Sequence, residues 1–338
     1  MVRRVWLLLV LALSALIGTT ASAAQRPVAA QRIIAIGDLH GDYAAWAAIA
    51  RAAGLVDEQG RWVGRKTILV QAGDVPDRGP DSARILRQLM RLQREAPRQG
   101  GRVIALIGNH EAMNMIGDLR YVDPGEYAAL ADANSTAMRE RAFESLKEDV
   151  TKQYRAANPS VADAEIRRKW IETTPLGWVE HRLAWRPSGE FGRWVMRNPA
   201  VTLVQGNLFV HGGLSAEYSK VPIDQINRRV HSALEKNDQS TSSIINDPIG
   251  PLWYRGLVAS DAEVRPPPLG ELTTVLSAYG AKRIVVAHTP LLSGVKILDG
   301  GRLVRIDSGN SRYYGGQLSY LEIIGDQLIP HTVPRSGR

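Results

Sequence analysis

The chain has 338 residues, 44% of them hydrophobic and 22% charged, with 31 glycines, 18 prolines and no cysteine. That balance excludes a collagen-like, disordered or multi-span membrane protein. The lack of cysteine removes disulfide frameworks, thiolate metal sites and every cysteine nucleophile. A net charge of +8 is a weak pointer to acidic partners such as phosphate, nucleic acid or anionic lipid.

The first segment carries Arg3 and Arg4, an apolar run over 5–17 interrupted only by Ser14, and Ala21-Ser22-Ala23. A basic start, a short apolar run and a small-x-small triplet together predict a secretory signal peptide over residues 1–23. The run falls short of the ~20 apolar residues a membrane span needs. No second run of spanning length follows, so the expected mature protein is periplasmic or secreted, with no stable membrane anchor.

Short β-branched apolar runs then recur, each stopping at glycine, aspartate, asparagine or histidine. They are residues 32–36 before Gly37-Asp38, 67–70 before Gly73-Asp74, 103–107 before Gly108-Asn109, 208–210 before His211, 284–287 before His288, and 303–306 before Asp307. Continuous apolar runs of this length suit strands covered on both faces. Helical patterns over 43–53, 81–95 and 223–236 follow several of them, with Asp42 and Asp81 at N-cap positions. The predicted class is α/β, and polar residues just past the strands face the sheet edge where ligands of such folds bind.

Gln205-Gly206-Asn207 between two apolar runs predicts a hairpin turn. Residues 112–199 differ, being charged, poor in β-branched runs and dotted with Trp170, Trp178, Trp185 and Trp194. They predict a mainly helical insertion, at about 112–200, within one domain covering 27–333, with the tryptophans serving packing. The proline-rich stretch 263–269 predicts an extended loop. His181 and His231 fall in helical segments and His331 in a polar tail, and none is assigned a function. Asp42 and Glu111 are read as cap or orienting groups.

Gly37-Asp38-Leu39-His40-Gly41 offers a carboxylate and an imidazole between glycines, though a Gly-Asp pair alone is commonly just a turn. Gly73-Asp74-Val75-Pro76-Asp77-Arg78-Gly79 supplies two carboxylates and a guanidinium, or equally a solvated loop with a surface ion pair. Gly108-Asn109-His110-Glu111 adds an amide and an imidazole after a buried run. Position decides between these readings, because ligand types recur after every run, including His211 and His288. Asp38, His40, Asp74, Asn109, His211 and His288 suffice for two divalent transition ions if one carboxylate bridges them. Oxygen and imidazole donors favour manganese, iron or zinc. Two ions ~3.5–4 Å apart clamp an in-line displacement at phosphorus and acidify a bridging water, which implies hydrolysis of a phosphate ester.

In order, Gly-Asp-x-His-Gly, Gly-Asp-x-x-Asp-Arg-Gly, Gly-Asn-His-Glu, His-Gly-Gly and His-Thr resemble the phosphoprotein phosphatases of the calcineurin-like metallophosphoesterase superfamily. Residues 108–115, 117–122 and 306–311 look most like the bacterial Shewanella-like protein phosphatases. The resemblance implies a β-sandwich of two mixed sheets flanked by helices. It implies Asp38, His40 and Asp74 on a first metal, and Asp74, Asn109, His211 and His288 on a second. It implies His110 as general acid, Asp77 as its orienting partner, Arg78 as a phosphate ligand, and a second arginine, for which Arg255 is the choice. The implied substrate is a phosphorylated protein or a small phosphoester.

Two other readings compete. One keeps the metals but hydrolyses dinucleoside tetraphosphates, which an exported enzyme would rarely meet. The other is a basic anion-binding protein with a vestigial metal site. Binding nucleic acid would need a positive stripe, whereas Arg84, Arg87, Arg91, Arg94 and Arg98 are spaced as one exposed helix face, so no nucleic-acid partner is expected. The oligomeric state is not legible.

Overall fold

The computed structural model describes residues 31–258 and 270–335, so the expected signal peptide and the proline-rich loop lie outside the described residues. In chain order, β1 (Ile33–Ile36), α1 (Tyr43–Ala52), β2 (Ile68–Gln71), α2 (Ser82–Glu95) and β3 (Arg102–Ala105) form a β-α-β-α-β run. A helical stretch follows: α3 (Asn109–Ile116), α4 (Pro124–Ala128), α5 (Ser135–Ala157), α6 (Asp163–Thr173), α7 (Trp178–Trp185) and α8 (Glu190–Val195). Then come β4 (Val201–Val204), β5 (Asn207–Val210), α9 (Ile223–Glu235), α10 (Glu271–Ala278), β6 (Arg283–Val286), β7 (Lys296–Leu298), β8 (Leu303–Arg305), β9 (Ser319–Ile324) and β10 (Gln327–Thr332).

The strands make two five-stranded mixed sheets, ordered β10-β9-β1-β2-β3 and β4-β5-β6-β8-β7. Alternation along each strand builds the layers. Ile33, Ala35, Ile68 and Val70 of one sheet meet Phe209, Val285 and Val304 of the other in a core between the sheets. Their neighbours Ile34, Ile36 and Leu69 point outward with Trp46, Ile49 and Leu89, while Leu208, Val210 and Val286 share that larger cluster with Ile226 and Val275. Both faces of the central strands are dry, which is why they read as unbroken apolar runs rather than alternating ones.

The hairpin between β4 and β5 turns through Gln205 and Gly206 at φ 50° and 79°, the paired left-handed geometry that suits a two-residue connection. Asp42 caps α1 by accepting from the Ala45 amide at 3.0 Å. Asp81 stands at the N-cap of α2, but its side chain makes no capping bond. The expectation for His331 is corrected: it lies in β10, its ring stacked 4.6 Å from Tyr320 and its Nε2 bonded to Glu322 at 2.7 Å. Trp170, Trp185 and Trp194 are buried. Phe143, Val150, Val161, Ile166 and Trp170 give the α5–α6 hairpin a small core of its own.

Candidate active site

Six parallel strands point their carboxyl ends at one place, β1, β2 and β3 from one sheet and β5, β6 and β8 from the other. Asp38 and His40 follow β1, Asp74, Asp77 and Arg78 follow β2, and Asn109 and His110 open α3 after β3. His211 follows β5 and His288 follows β6. The loops are bound to each other: the Leu39 and His40 amides both donate to the Asp74 carbonyl, at 2.9 and 3.1 Å, and Gly41 donates to Val75 at 2.9 Å. His40, Asp74, Asp77, Arg78 and His288 all have positive φ, between 44° and 74°, a conformation costly for side-chain-bearing residues that persists where the surroundings enforce it.

The structure brings the expected donors together, all buried. Ligand atoms of His40, Asp74 and His110 lie within 4.8 Å of one another, as do those of Asp74, His211 and His288, so Asp74 is common to both groups. Asp38 joins through Oδ2, 3.7 Å from His40 Nε2. His211 Nδ1 donates to the Ala72 carbonyl at 2.8 Å, which turns Nε2 toward Asp74 Oδ2 at 3.2 Å and Asn109 Oδ1 at 3.0 Å. With Nδ1–H committed, those three atoms are all electron-pair donors facing one another, an arrangement that calls for a cation between them. His288 Nε2 is buried with no hydrogen-bond partner, as a ligand awaiting a metal would be. The donor set and this orphaned nitrogen fit divalent transition ions.

The electrostatics agree. Burial disfavours a charged His211, yet the Asp74 and Asp38 carboxylates outweigh it and lift its pKa to about 9, so a proton is drawn to the place a cation would take. Burial alone would raise Asp74, but His211, His110 and His40 hold it well below the usual carboxylate range. Asp38 goes the other way, raised by burial and by the neighbouring Asp307.

His110 is held differently from the other imidazoles. Its Nδ1 donates to Asp77 Oδ2 at 2.5 Å, and Asp77 Oδ1 accepts from Asn114 Nδ2 at 2.9 Å. The free Nε2 lies 3.9 Å from Asp74 Oδ2, facing the centre. Arg78 is half-buried beside it, and its guanidinium stacks over Tyr121 at 4.3 Å. Arg255 is also half-buried. It lies close enough to His288 to help burial and His211 depress that residue's pKa, and Trp253 packs edge-on to the His288 ring at 5.6 Å.

Several further residues support these groups. Glu111 accepts from the amides of Asp74, Val75 and Gly108, at 2.9, 2.8 and 2.8 Å, fastening the second and third motifs together. This fits the orienting role expected of it. Asn114, Glu126 on the Asp77 amide at 2.9 Å, Tyr121, Tyr313 and Tyr314 were not foreseen. Asp307 had a signal, since it follows a parallel strand as the ligands do. Beside Asp38, its pKa is raised by burial.

A sandwich with acidic and imidazole clusters at the joined strand ends, plus a carboxylate-backed histidine and arginines, defines a metal-dependent phosphoric ester hydrolase. The chain matches the model of the calcineurin-like phosphoesterases over residues 31–292 and belongs to that family, whose members use divalent metal ions. It is 32% identical over 289 residues to Shewanella-like protein phosphatase 2 of Arabidopsis thaliana, covering 83% of this chain and 72% of that one. It is 30% identical over 264 residues to Shewanella-like protein phosphatase 1 of Plasmodium berghei, covering 76% and 61%. Among solved structures, a cold-active protein-tyrosine phosphatase of a psychrophilic Shewanella species shares the fold with TM-score 0.65 and 22% identity, over 90% of this chain and 81% of that one.

Proposed function

We propose that the chain is an exported phosphoprotein phosphatase that hydrolyses phosphomonoesters of serine, threonine or tyrosine with two divalent transition ions, manganese, iron or zinc. Asp38, His40 and Asp74 hold one ion, and Asp74, Asn109, His211 and His288 the other. When bound, the ions supply a nucleophilic water and neutralise charge at phosphorus. The single observation that carries the reading is the His110–Asp77 pair aimed across Asp74 from the His211 and His288 ligands.

The protein's own groups divide the rest of the work. The phosphoryl oxygens lie against Arg78 and Arg255, whose planar forks match them. As oxygen from water bonds to phosphorus and the ester bond breaks, His110 Nε2 gives its proton to the leaving oxygen. Asp77 keeps the ring turned for that transfer and balances its charge. The products are inorganic phosphate and the free hydroxyl.

The same reading takes residues 27–333 as one domain with a helical insertion at about 112–200, and residues 1–23 as a cleaved export signal. Among the described residues no helix is long and apolar enough to cross a membrane. Turnover of the metal-loaded protein on phosphothreonine peptide, phosphotyrosine peptide and a dinucleoside tetraphosphate, measured side by side, tests the function. Hydrolysis of either peptide is expected, and hydrolysis of the dinucleotide alone would overturn it. After fractionation of expressing cells, the chain should be found in the periplasmic fraction with its amino terminus just after Ala23, and recovery in the cytoplasmic fraction with Met1 intact would refute export.

A further inference from the structure

Arg255 lies in neither a helix nor a strand, so its place has to be fixed by side chains. The residue before it does this. Tyr254 is 3% exposed, and its hydroxyl donates to the carboxyl of Glu271, itself 2% exposed and the first residue of α10. The other carboxyl oxygen of Glu271 accepts from the Ala216 amide at 2.7 Å. One buried carboxyl therefore joins the loop that follows His211 to the loop that carries Arg255.

The two loops also meet through their backbones. The Gly212 amide donates to the Pro251 carbonyl at 2.9 Å. A Cβ on Gly212 would lie 2.8 Å from the Tyr254 amide nitrogen, and one on Gly213 would lie 3.2 Å from the Tyr254 ring. The two glycines after His211 thus leave room for Tyr254. On its other side, Trp253 donates from Nε1 to the Ile245 carbonyl at 2.7 Å and packs against His288. Glu271 stands on a firm base, because Val275 and Leu276 of α10 share the outer core with Leu208 and Val286. Just past the end of α10, the Tyr279 hydroxyl donates to the Tyr218 carbonyl at 2.7 Å.

We infer that Glu271, acting through Tyr254, is a positioning residue that holds Arg255 ready for the substrate phosphate. A loop ordered before binding spares the anion the cost of ordering it. Removing the carboxyl would take a buried phenol and a backbone amide from their shared acceptor and loosen the loop beneath the arginine. Phosphate should then bind less well, while proton transfer by His110 on the other loops is untouched. The inference rests on the reading of Arg255 as a phosphate ligand.

Inhibition of p-nitrophenyl phosphate hydrolysis by inorganic phosphate, measured on the metal-loaded chain, reads that grip. Glu271→Ala should raise KM and the phosphate inhibition constant about five- to tenfold and change kcat by no more than about twofold. Tyr254→Phe, a milder change that keeps the ring against Gly213, should shift both constants in the same direction. Glu271→Gln can accept from Ala216 and donate to the Tyr254 oxygen, and should retain most of the wild-type phosphate affinity. In an Arg255→Ala background, Tyr254→Phe should add less than about twofold, because both changes remove one interaction. Elemental analysis should give every variant the wild-type metal content. Unchanged phosphate affinity in Tyr254→Phe, additive losses in the double variant, or metal lost in step with affinity overturns the positioning role and leaves Arg255 as a phosphate ligand. Unchanged phosphate affinity in Arg255→Ala overturns both.

Discussion

At the level of single residues, the imidazoles of the site are held in two different ways. His40 and His211 spend Nδ1 on backbone carbonyls, Pro76 at 3.2 Å and Ala72 at 2.8 Å, and so offer Nε2 as a lone-pair donor. His110 spends Nδ1 on a carboxylate, which fixes the ring with Nε2 facing the centre, where a general acid would stand. Asp77→Asn should therefore lower kcat on an alkyl phosphate on the order of 10²- to 10³-fold. On an aryl ester with a nitrophenolate leaving group, which needs little protonation, the loss should be much smaller. Equal losses on the two esters, in single-turnover assays, would contradict the proton-transfer role. Arg78→Lys should raise KM for phosphate esters, because a point charge replaces a planar fork.

Among the elements, the loops matter through how closely they approach. A Cβ on Gly108 would lie 2.6 Å from the Asp74 amide nitrogen and 2.9 Å from Glu111 Oε2. Gly108→Ala should thus displace the shared carboxylate and cost about 1–3 kcal/mol of stability, visible as lost activity and a lower Tm. A variant with wild-type kcat would show that this approach is not needed. In α7, burial holds the pKa of His181 down at about 3 against an ordinary 6.5. Between those values the unfolded chain binds the proton and the folded one does not, so stability falls as pH drops, by about 1.4 kcal/mol per unit. Denaturant titrations at pH 7 and pH 5 should show a gap that narrows in His181→Phe. An unchanged gap would place the titration elsewhere.

These elements also show what the sequence makes legible. The six parallel strands were readable because burial on both faces leaves an unbroken apolar run, and the ligand types at their ends marked the site. The three missed strands lack that mark. β10 is an outer strand of mixed exposure carrying Pro330, and β7 is only Lys296–Leu298. The β9–β10 hairpin did carry a turn signal, Gly325-Asp326 between apolar residues. The tyrosines around Arg78 were illegible for another reason. Tyr121 and Tyr313 are far apart in the chain and are gathered around Arg78 only in the folded molecule, so no local spacing announces them.

Over the whole molecule, each sheet brings three parallel strand ends to a shared rim, and the buried acids and imidazoles there join the two halves. Ligands that bind only the folded chain stabilise it by mass action. Stripping metal with a chelator should consequently lower Tm by several degrees, and refilling with manganese should restore it. A Tm indifferent to chelation would mean that no ion holds the sheets together. The central claim is that Asp74 is shared by two cations. Elemental analysis with anomalous scattering on metal-loaded protein should find two ions per chain, ~3.5–4 Å apart with Asp74 between them, and Asp74→Asn should lose ion occupancy together with more than ~100-fold of the turnover. A single ion away from Asp74, or none, would contradict the account.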